Sequence, residues 1–280
     1  MGSLAACTSG PPAGTDGDLA DNWGSLPPAV AYLPTAGTCD SSTPGPVAAI
    51  WNAHPVACTG EHNGETVYVS QLSGAVASLP VPPKADNPGL LPAWRDCDRE
   101  ATTFVGRPWS DARLELYLVL PTENAWKSGS HWFRCDLNEV KDVDDYLPTS
   151  RTGSLQAPLD PKLLIGCLQT TSDKNDLIVK EVVVACTAKH NAEYVGSIWS
   201  TLAAYPTKDT QFRPLFNACY SKIDAYVGMK NTRTGTFIAR AASDDQWKAG
   251  YRVVRCYLWL DKKTMSKSAK GTKGKGVPTF

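Results

Sequence analysis

The stretch that decides how this chain folds is Cys58-Thr59-Gly60-Glu61-His62-Asn63-Gly64-Glu65. It recurs 128 positions later as Cys186-Thr187-Ala188-Lys189-His190-Asn191-Ala192-Glu193. The cysteine, threonine, histidine, asparagine and glutamate are the same in both copies, and a short apolar run precedes each copy. A repeat with a period above about 100 residues indicates duplicated domains rather than a solenoid. The sequence therefore predicts one module written twice.

Eight of the nine cysteines follow the same duplication. The first two cysteines of each set are 19 positions apart, and the last two are 38 and 37 positions apart. The two sets are Cys39, Cys58, Cys97 and Cys135, and Cys167, Cys186, Cys219 and Cys256. Such matched sets in small domains indicate two disulfides per module and an oxidising compartment. Zinc is the alternative, because Cys58 and His62 resemble a half-site, but the paired Cys-x-x-Cys knuckles of zinc ribbons are missing.

Four cysteines allow three connectivities in each module. Because the first two cysteines of each set flank a predicted hairpin, we favour joining them to each other. The predicted pairs are Cys39–Cys58, Cys97–Cys135, Cys167–Cys186 and Cys219–Cys256. Each pair is expected to stabilise its module by about 2–4 kcal/mol.

Length and patterning agree with two modules, since 280 residues leave room for about two domains. Short strands with one main helix per module predict an α+β fold, with each module a mainly antiparallel sheet. The predicted organisation is a lipobox-like N-terminus and flexible linker over 1–36, a first module over 37–146, a linker over 147–161, a second module over 162–260 and a basic tail over 261–280.

The tail carries six lysines against one aspartate and has little apolar content. This composition predicts disorder. Its charge favours contact with anionic lipid or wall polymer, and a solubilising end is the alternative interpretation. Nucleic-acid binding is not expected, because the rest of the chain is acidic and its cysteines indicate a place outside the cytoplasm.

The ninth cysteine, Cys7, follows Leu4-Ala5-Ala6 and precedes a linker rich in Thr, Ser, Gly and Pro. The tetrapeptide resembles a bacterial lipobox, in which the cysteine carries the lipid. The sequence therefore predicts lipid attachment at Cys7, and the chance occurrence of a small-residue run is the alternative. No apolar run is long enough for a transmembrane helix.

The best candidates for a site are His62 with Glu65 and His190 with Glu193. An imidazole three residues from a carboxylate is able to act as a general base or as half a metal site. The same residues are also candidates for binding a ligand or a protein partner, and the remaining interpretation is a structural histidine in a loop. We favour the structural interpretation, because both copies keep these residues while the neighbouring charge is reversed. Trp126 and Trp247, which also match across the duplication, are candidates for a binding face or for core positions.

Motifs for covalent catalysis and for phosphate-binding loops are missing, so the sequence predicts no catalytic residue, no metal and no cofactor. The residues quoted above resemble the septum-formation domain family of actinobacterial cell-envelope proteins. The resemblance lies in Gly37-Thr38-Cys39, the Cys58–Glu65 stretch, Cys97, and Trp126 to Cys135, each with a counterpart in the second module. It covers about 220 of the 280 residues and implies two tandem copies of the family domain. One departure is that Glu61 and Lys189 stand where the family commonly has proline.

This resemblance implies work in septum formation or the cell envelope and brings no catalytic residues. The expected function is that of a non-catalytic, exported lipoprotein on the outer face of the cytoplasmic membrane. It would bind division proteins, other envelope proteins or wall polymer, and would reach the membrane through its lipid anchor. The alternative is an envelope hydrolase or a metal-dependent enzyme that uses the two His/Glu loops.

Overall fold

The computed structural model describes residues 32–43, 45, 47–48, 53–143, 147–174, 177–240 and 243–279. Cys7 and most of the N-terminal linker lie outside the described residues, as does Trp23. Tyr32 is described, and its ring meets Trp132 edge-on at 6.4 Å, so the end of the linker packs on the first module as expected. No helix in these ranges is both long and apolar enough to cross a membrane.

The first module consists of a six-stranded sheet and one main helix. Its elements are β1 (Thr38–Asp40), β2 (Val47–Ala48), β3 (Pro55–Val56), β4 (Gly64–Gln71), α1 (Leu91–Val105), β5 (Leu114–Pro121), α2 (Glu123–Lys127) and β6 (Trp132–Glu139). Leucines alternate along β5 as predicted, although both of its faces are largely buried. Thr122 caps α2 by accepting the backbone N–H of Ala125, as its position before the helix predicts.

The second module repeats this architecture with five strands. Its elements are β7 (Cys167–Ser172), β8 (Ile178–Val184), β9 (Ala192–Trp199), α3 (Asp209–Val227), β10 (Gly235–Arg240), α4 (Asp244–Ala249) and β11 (Val253–Trp259). The sheet orders are β2-β5-β6-β4-β1-β3 and β10-β11-β9-β7-β8. Apart from the short parallel β2, the two orders correspond strand by strand, and both sheets are antiparallel. The α+β prediction of two mainly antiparallel modules is confirmed.

All four predicted disulfides are present: Cys39–Cys58, Cys97–Cys135, Cys167–Cys186 and Cys219–Cys256. Two of them close the β1–β3 and β7–β8 edges of the sheets. The other two fasten each main helix to the strand behind it, so that Cys97, Cys135, Cys219 and Cys256 are all fully buried. The first strand of each module, β1 or β7, was not predicted, because each is short and polar apart from its cysteine.

The two modules share a core. Tyr251 of the second module stacks on Trp94 of the first at 4.6 Å and lies 6.0 Å from Trp109. The buried guanidinium of Arg255 donates to three backbone carbonyls of the first module, those of Ser110, Ala112 and Leu114. Because these polar groups are satisfied and the aromatic surface is dry, the modules are packed against each other rather than strung on a linker.

Two of the predicted boundaries are wrong. Residues 147–161 do not form a free linker, because Leu155 is 1% exposed and belongs to the core of the first module. Residues 261–279 do not form a disordered tail, because Met265, Ala269 and Val277 are buried against Ile223 and Leu258 in the core of the second module. Each module thus ends in a closing segment, which we define as residues 151–157 in the first module and 265–271 in the second.

Candidate functional site

The two predicted His/Glu loops are built alike. His62 Nε2 lies 3.2 Å from Glu65 Oε1, and His190 Nε2 lies 3.1 Å from Glu193 Oε1. All four side chains are at most 2% exposed. The glutamates start β4 and β9, so that each carboxylate enters the module at the first inward position of a central strand. We call these two units the His–Glu pairs.

The second ring nitrogen of each histidine is also engaged. Nδ1 lies 2.9 Å from the carbonyl oxygen of Gly60 in the first module and 2.8 Å from that of Ala188 in the second. A carbonyl oxygen only accepts, so Nδ1 is the donor in this contact, and Nε2 faces the carboxylate. Both ring nitrogens of each histidine are therefore engaged within the module, and neither is free for a substrate.

Glu65 holds the closing segment of the first module. Its carboxylate accepts the backbone N–H of Leu155 at 2.6 Å, the Ser154 hydroxyl at 2.7 Å and the Arg151 guanidinium at 3.1 Å. The backbones of His62 and Arg151 also exchange two hydrogen bonds, each of 2.9 Å. Together these contacts fix residues 151–155 across the His loop.

Glu193 holds the second closing segment in the same way. Its carboxylate accepts the backbone N–H of Ala269 at 2.8 Å and the Ser268 hydroxyl at 2.8 Å. Its fourth partner is the hydroxyl of Tyr226 on α3, at 2.6 Å. His190 and Met265 exchange backbone hydrogen bonds of 2.9 and 3.0 Å. We call each of these two arrangements a clamp, because a buried carboxylate accepts hydrogen bonds from the polar groups of the closing segment and so holds it in place.

The metal interpretation has a geometric basis but lacks the chemistry. Ligand atoms of Cys167, His190 and Glu193 lie within 4.8 Å of one another, as do those of Cys39, Cys58 and Glu65. The cysteine sulfurs are joined in disulfides, so that they offer no thiolate to zinc. The carboxylates already accept hydrogen bonds from the closing segments, so these residues do not fit a metal ion in the oxidised protein.

The matched tryptophans are core residues. Trp126 is 2% exposed and donates its indole N–H to the carbonyl of Leu79 at 2.7 Å, while Trp247 is fully buried. The structure therefore removes both from any surface that meets a partner. His131 packs on Trp126, with the ring centres 4.4 Å apart, as expected for a packing residue.

Sequence reasoning found the histidines and glutamates but missed their partners Arg151, Ser154, Tyr226 and Ser268. The signal was weak, since each segment has a serine followed by an apolar residue, Ser154-Leu155 and Ser268-Ala269, but at different spacings, 19 positions after Cys135 and 12 after Cys256. The duplication extends further, because Ala157 donates its N–H to Phe104 and Gly271 donates to Tyr226, which are matched residues at the ends of the two helices. The closing segments are therefore the last repeated element.

Another buried carboxylate lies at the junction of the modules. Glu115 accepts the Tyr251 hydroxyl at 3.2 Å through Oε1, while Oε2 has no hydrogen-bond partner among the described residues. Burial raises the pKa of Glu115 to about 8, and the charge of Arg255 and the Tyr251 hydrogen bond oppose part of this rise. This carboxyl is thus kept uncharged near neutral pH, and it has fewer hydrogen-bond partners than Glu65 or Glu193.

A small groove opens between the modules. It has a volume of about 230 Å³ and is lined by Asp98, Pro108 and Ser110 of the first module and by Ser197, Trp199 and Val253 of the second. Burial raises the pKa of Asp98, although the Trp109 indole N–H and the charge of Arg95 work in the opposite direction. Arg95 also lies over the Trp199 ring at 5.7 Å, a distance at which a cation is attracted by the ring face.

Comparison with known proteins gives one family. The model of the family described as septum formation matches residues 36–256, a range that includes all eight paired cysteines and ends within β11 of the second module. No curated protein and no solved structure matches the chain. The match runs through both modules without a break, so the idea that each module is a separate copy of the family domain stays a prediction. The chain belongs to the septum formation family.

Proposed function

We propose that this protein is a non-catalytic component of the cell envelope that binds or holds together other envelope molecules during septum formation. Family membership indicates a role related to septum formation, and the four disulfides with that membership indicate a place outside the cytoplasm. The finer elements of the proposal are the scaffold role, export, and a lipid anchor at Cys7.

One observation carries the non-catalytic part of the proposal. Both His–Glu pairs, the best candidates for chemistry, are at most 2% exposed and have every nitrogen and carboxylate oxygen engaged. A general base must reach the proton that it removes, directly or through one water. A pair that is buried and used to hold a chain segment meets the needs of folding better than those of catalysis.

The groove between the modules supports a binding role, because it combines the exposed side of Trp199 with the Arg95 cation and the Asp98 carboxyl. Aromatic and arginine side chains are enriched where proteins bind one another. We propose that envelope or division proteins, or wall polymer, meet the chain at this junction.

The test is photo-cross-linking in intact cells, with a photoreactive residue in place of Ser197 at the groove. The matched control places it at Ser128, an exposed residue at the end of α2 that lines neither the groove nor another described cavity. We expect a defined adduct from position 197 and not from position 128. Equal capture at both positions, or none at either, would contradict the proposal.

A second assay addresses the hydrolase alternative, which requires turnover of wall fragments or stoichiometric metal in the purified protein. Turnover or bound metal that disappears in both His62→Ala and His190→Ala, while the fold is kept, would replace the scaffold proposal with the enzyme. Cys7→Ala, expressed with the natural upstream signal, is expected to leave the membrane fraction. Retention there would place the anchor elsewhere.

A further inference from the structure

Residues 273–279, which follow the closing segment of the second module, form a cavity with the loop after α3. The cavity has a volume of about 310 Å³, and its wall includes Met229, Asn231 and Arg233 on one side and Lys273, Lys275 and Thr279 on the other. The sequence interpretation placed these lysines on a disordered tail. In the folded chain, Val277 is buried in the core, so the lysines beside it are held in a fixed place.

Positive charge is concentrated at this cavity. Arg233, Lys273 and Lys275 are exposed at its wall, and no ion pair joins any of them to an acid among the described residues. Lys263 reaches the same end of the chain, because its ammonium donates to the Thr279 carbonyl. Like charges on one cavity wall repel, so grouping Arg233, Lys273 and Lys275 there is unfavourable unless an anion joins them.

Asp224 on α3 contacts the loop that forms one side of this wall. It is committed to the backbone, because its two oxygens accept the N–H groups of Asn231 and Thr232, each at 2.9 Å. Burial acts to raise the pKa of Asp224, but these backbone hydrogen bonds lower it overall, so the group is charged at neutral pH. Asp224 therefore shapes the loop that carries Arg233 and offsets only part of the positive charge.

The backbone beside the cavity is a tightly turned lysine–glycine run, Gly271-Thr272-Lys273-Gly274-Lys275-Gly276. Left-handed φ angles occur at Gly271 (68°), Lys273 (53°), Gly274 (79°) and Gly276 (73°). Backbone hydrogen bonds to Tyr226 and Val227 tie the run to the end of α3, so the two lysines are presented from an ordered backbone. Lysine rarely adopts positive φ, so this conformation at Lys273 has a cost that local packing must offset.

The N–H groups of Gly274 and Gly276 make no recorded hydrogen bond to the described residues, whereas those of Lys273, Lys275 and Val277 do. Gly274 also needs to be glycine, since a Cβ atom there would lie 2.5 Å from Met229 Sδ. The run is thus fixed between the loop after α3 and the buried Val277, with donors and cations at the same wall.

The first module lacks all of these features. Its chain after the clamp reads Gln156-Ala157-Pro158-Leu159-Asp160-Pro161, without a lysine and with two prolines that have no N–H to donate. Since the clamps themselves are equivalent, the lysine–glycine run is an addition to the second module that closing the fold does not require.

We propose that the cavity between the loop after α3 and the lysine–glycine run binds a phosphate group, with Arg233, Lys273 and Lys275 as its cations. Arginine and lysine side chains are the usual charged donors to phosphate oxygens. A phosphodiester in a soluble polymer and one in a lipid headgroup present the same chemistry to such a site. Both sources lie outside the cytoplasmic compartment in which the disulfides would be reduced.

The experiment measures binding of a glycerol-phosphate oligomer to the full chain by titration calorimetry at low salt. The site variant is R233Q/K273Q/K275Q, and the matched control is K262Q/K267Q/K270Q, which removes the same charge from the same segment outside the cavity. We expect the site variant to weaken binding about tenfold or more and the control to weaken it less than about threefold. The substituted side chains are all exposed, so the buried contacts of Ala269 and Val277 are kept.

Vesicles of phosphatidylglycerol, with phosphatidylcholine vesicles as the neutral reference, identify the source of the phosphate. Binding to the oligomer and not to vesicles assigns a polymer, and the reverse assigns a lipid headgroup; either result supports the site if the R233Q/K273Q/K275Q chain loses it. Equal losses in the site and control variants would show diffuse charge attraction and overturn the proposal. Failure of the wild-type chain to bind either probe would overturn it as well.

This inference deepens the proposed function by naming a ligand class, and it rests on that function only for where the ligand is found. The two tests fail separately. A defined adduct at position 197 without phosphate binding removes the phosphate site alone, whereas phosphate binding without an adduct removes the junction as a protein-binding surface.

Discussion

The two clamps perform one task with different chemistry. In the first module, Glu65 meets the cation of Arg151, which comes from the closing segment itself. In the second, Met265 occupies the place of Arg151, and the Tyr226 hydroxyl, provided by α3, is the fourth partner of Glu193. A buried carboxylate needs several donors, and the comparison shows that an arginine need not be among them. What stays constant is the histidine, the serine hydroxyl and one backbone N–H.

The clamps also explain why the chain continues past the last strand of each module. The closing segment covers hydrophobic side chains that the sheet and helix leave open, Leu155 in the first module and Met265 with Ala269 in the second. The polar backbone of a closing segment would be costly to bury without hydrogen-bond partners, and the His–Glu pair provides those partners. A histidine in both loops is therefore accounted for by folding.

The largest expected effect comes from removing the second closing segment. A chain ending at Lys263 loses Met265, Ala269 and Val277 from the core and leaves Glu193 and His190 without their backbone partners. We expect at least about 5 kcal/mol of lost stability, since removal of a single buried large side chain costs about 2–5 kcal/mol. Thermal melting followed by circular dichroism measures this. A melting temperature equal to that of the full chain would show that the removed residues do not stabilise the fold, as predicted for a disordered tail.

This error shows what the sequence could and could not provide. Cysteine spacing and the repeated His loop were enough for two modules, their disulfides and the α+β class, because those signals are local and occur twice. The closing segment of the second module was not predicted, because three buried apolar residues are dispersed among six lysines in 261–280. Composition averaged over such a segment indicates disorder, whereas the order comes from a carboxylate at Glu193, far away in the sequence.

The candidate site, like the fold, was predictable from the sequence only in part. Repetition identified the histidines and glutamates, and the reversed charge at Glu61 and Lys189 favoured a structural role over chemistry. The burial of both pairs agrees with that interpretation, which stays a prediction. Their partners Tyr226 and Ser268 could not be found from spacing alone, since they come from a helix end and a segment interpreted as tail. The shared core around Tyr251 was equally hidden, because nothing local distinguishes an aromatic residue that packs across modules.

Removing either clamp carboxylate is expected to have the next largest effect. Glu65→Ala and Glu193→Ala each leave a buried histidine, a hydroxyl and a backbone N–H unpaired, so we expect a loss of about 3–5 kcal/mol in the free energy of unfolding. Glu61→Ala is the control, because Glu61 lies in the same loop but is exposed and accepts only the Ser150 hydroxyl. Urea denaturation measures all three. Losses below about 1 kcal/mol in both clamp variants would mean that the clamps do not hold the closing segments.

Glu115 is a buried carboxyl with a hydrogen bond to one oxygen only, whereas both oxygens of Glu65 and Glu193 accept hydrogen bonds. Its pKa is raised to about 8 in the folded chain from an ordinary value of 4.5, so the folded state binds the extra proton between these values. Stability from this group is full below about pH 4.5 and falls as pH rises to about 8, with a slope of at most about 1.4 kcal/mol per pH unit.

Glu115→Gln is expected to flatten this pH dependence, while Glu123→Gln, which alters an exposed carboxylate on α2, is expected to leave it unchanged. Melting temperatures at intervals from pH 5 to pH 8 measure both. If the wild-type and Glu115→Gln chains change in parallel over this range, the carboxyl at the module junction is charged in the folded protein.

Loss of a clamp histidine is expected to cost less than loss of a carboxylate. His62→Ala and His190→Ala remove one hydrogen bond to the carboxylate and one to a loop carbonyl, so we expect each to lower stability by about 1–3 kcal/mol. Neither is expected to abolish cross-linking from position 197 at temperatures where the chain is folded. Melting and capture are measured together on each variant. Unchanged melting with lost capture would make the His loops the functional site.

The smallest effect tests the difference between the clamps directly. In Glu65→Gln, the amide faces Arg151 without a negative charge, although Arg151 keeps a second carboxylate at Glu139. In Glu193→Gln, the amide meets the hydroxyls of Tyr226 and Ser268, which lie 3.1 Å apart and are able to accept as well as donate. The change opposite the histidine is common to both variants and cancels.

We therefore expect Glu65→Gln to cost about 1 kcal/mol more than Glu193→Gln, because hydrogen bonds to charged groups are the stronger ones. Urea denaturation of both variants in the same chain measures the difference. An equal or larger loss in Glu193→Gln would mean that Arg151 is not what distinguishes the two clamps.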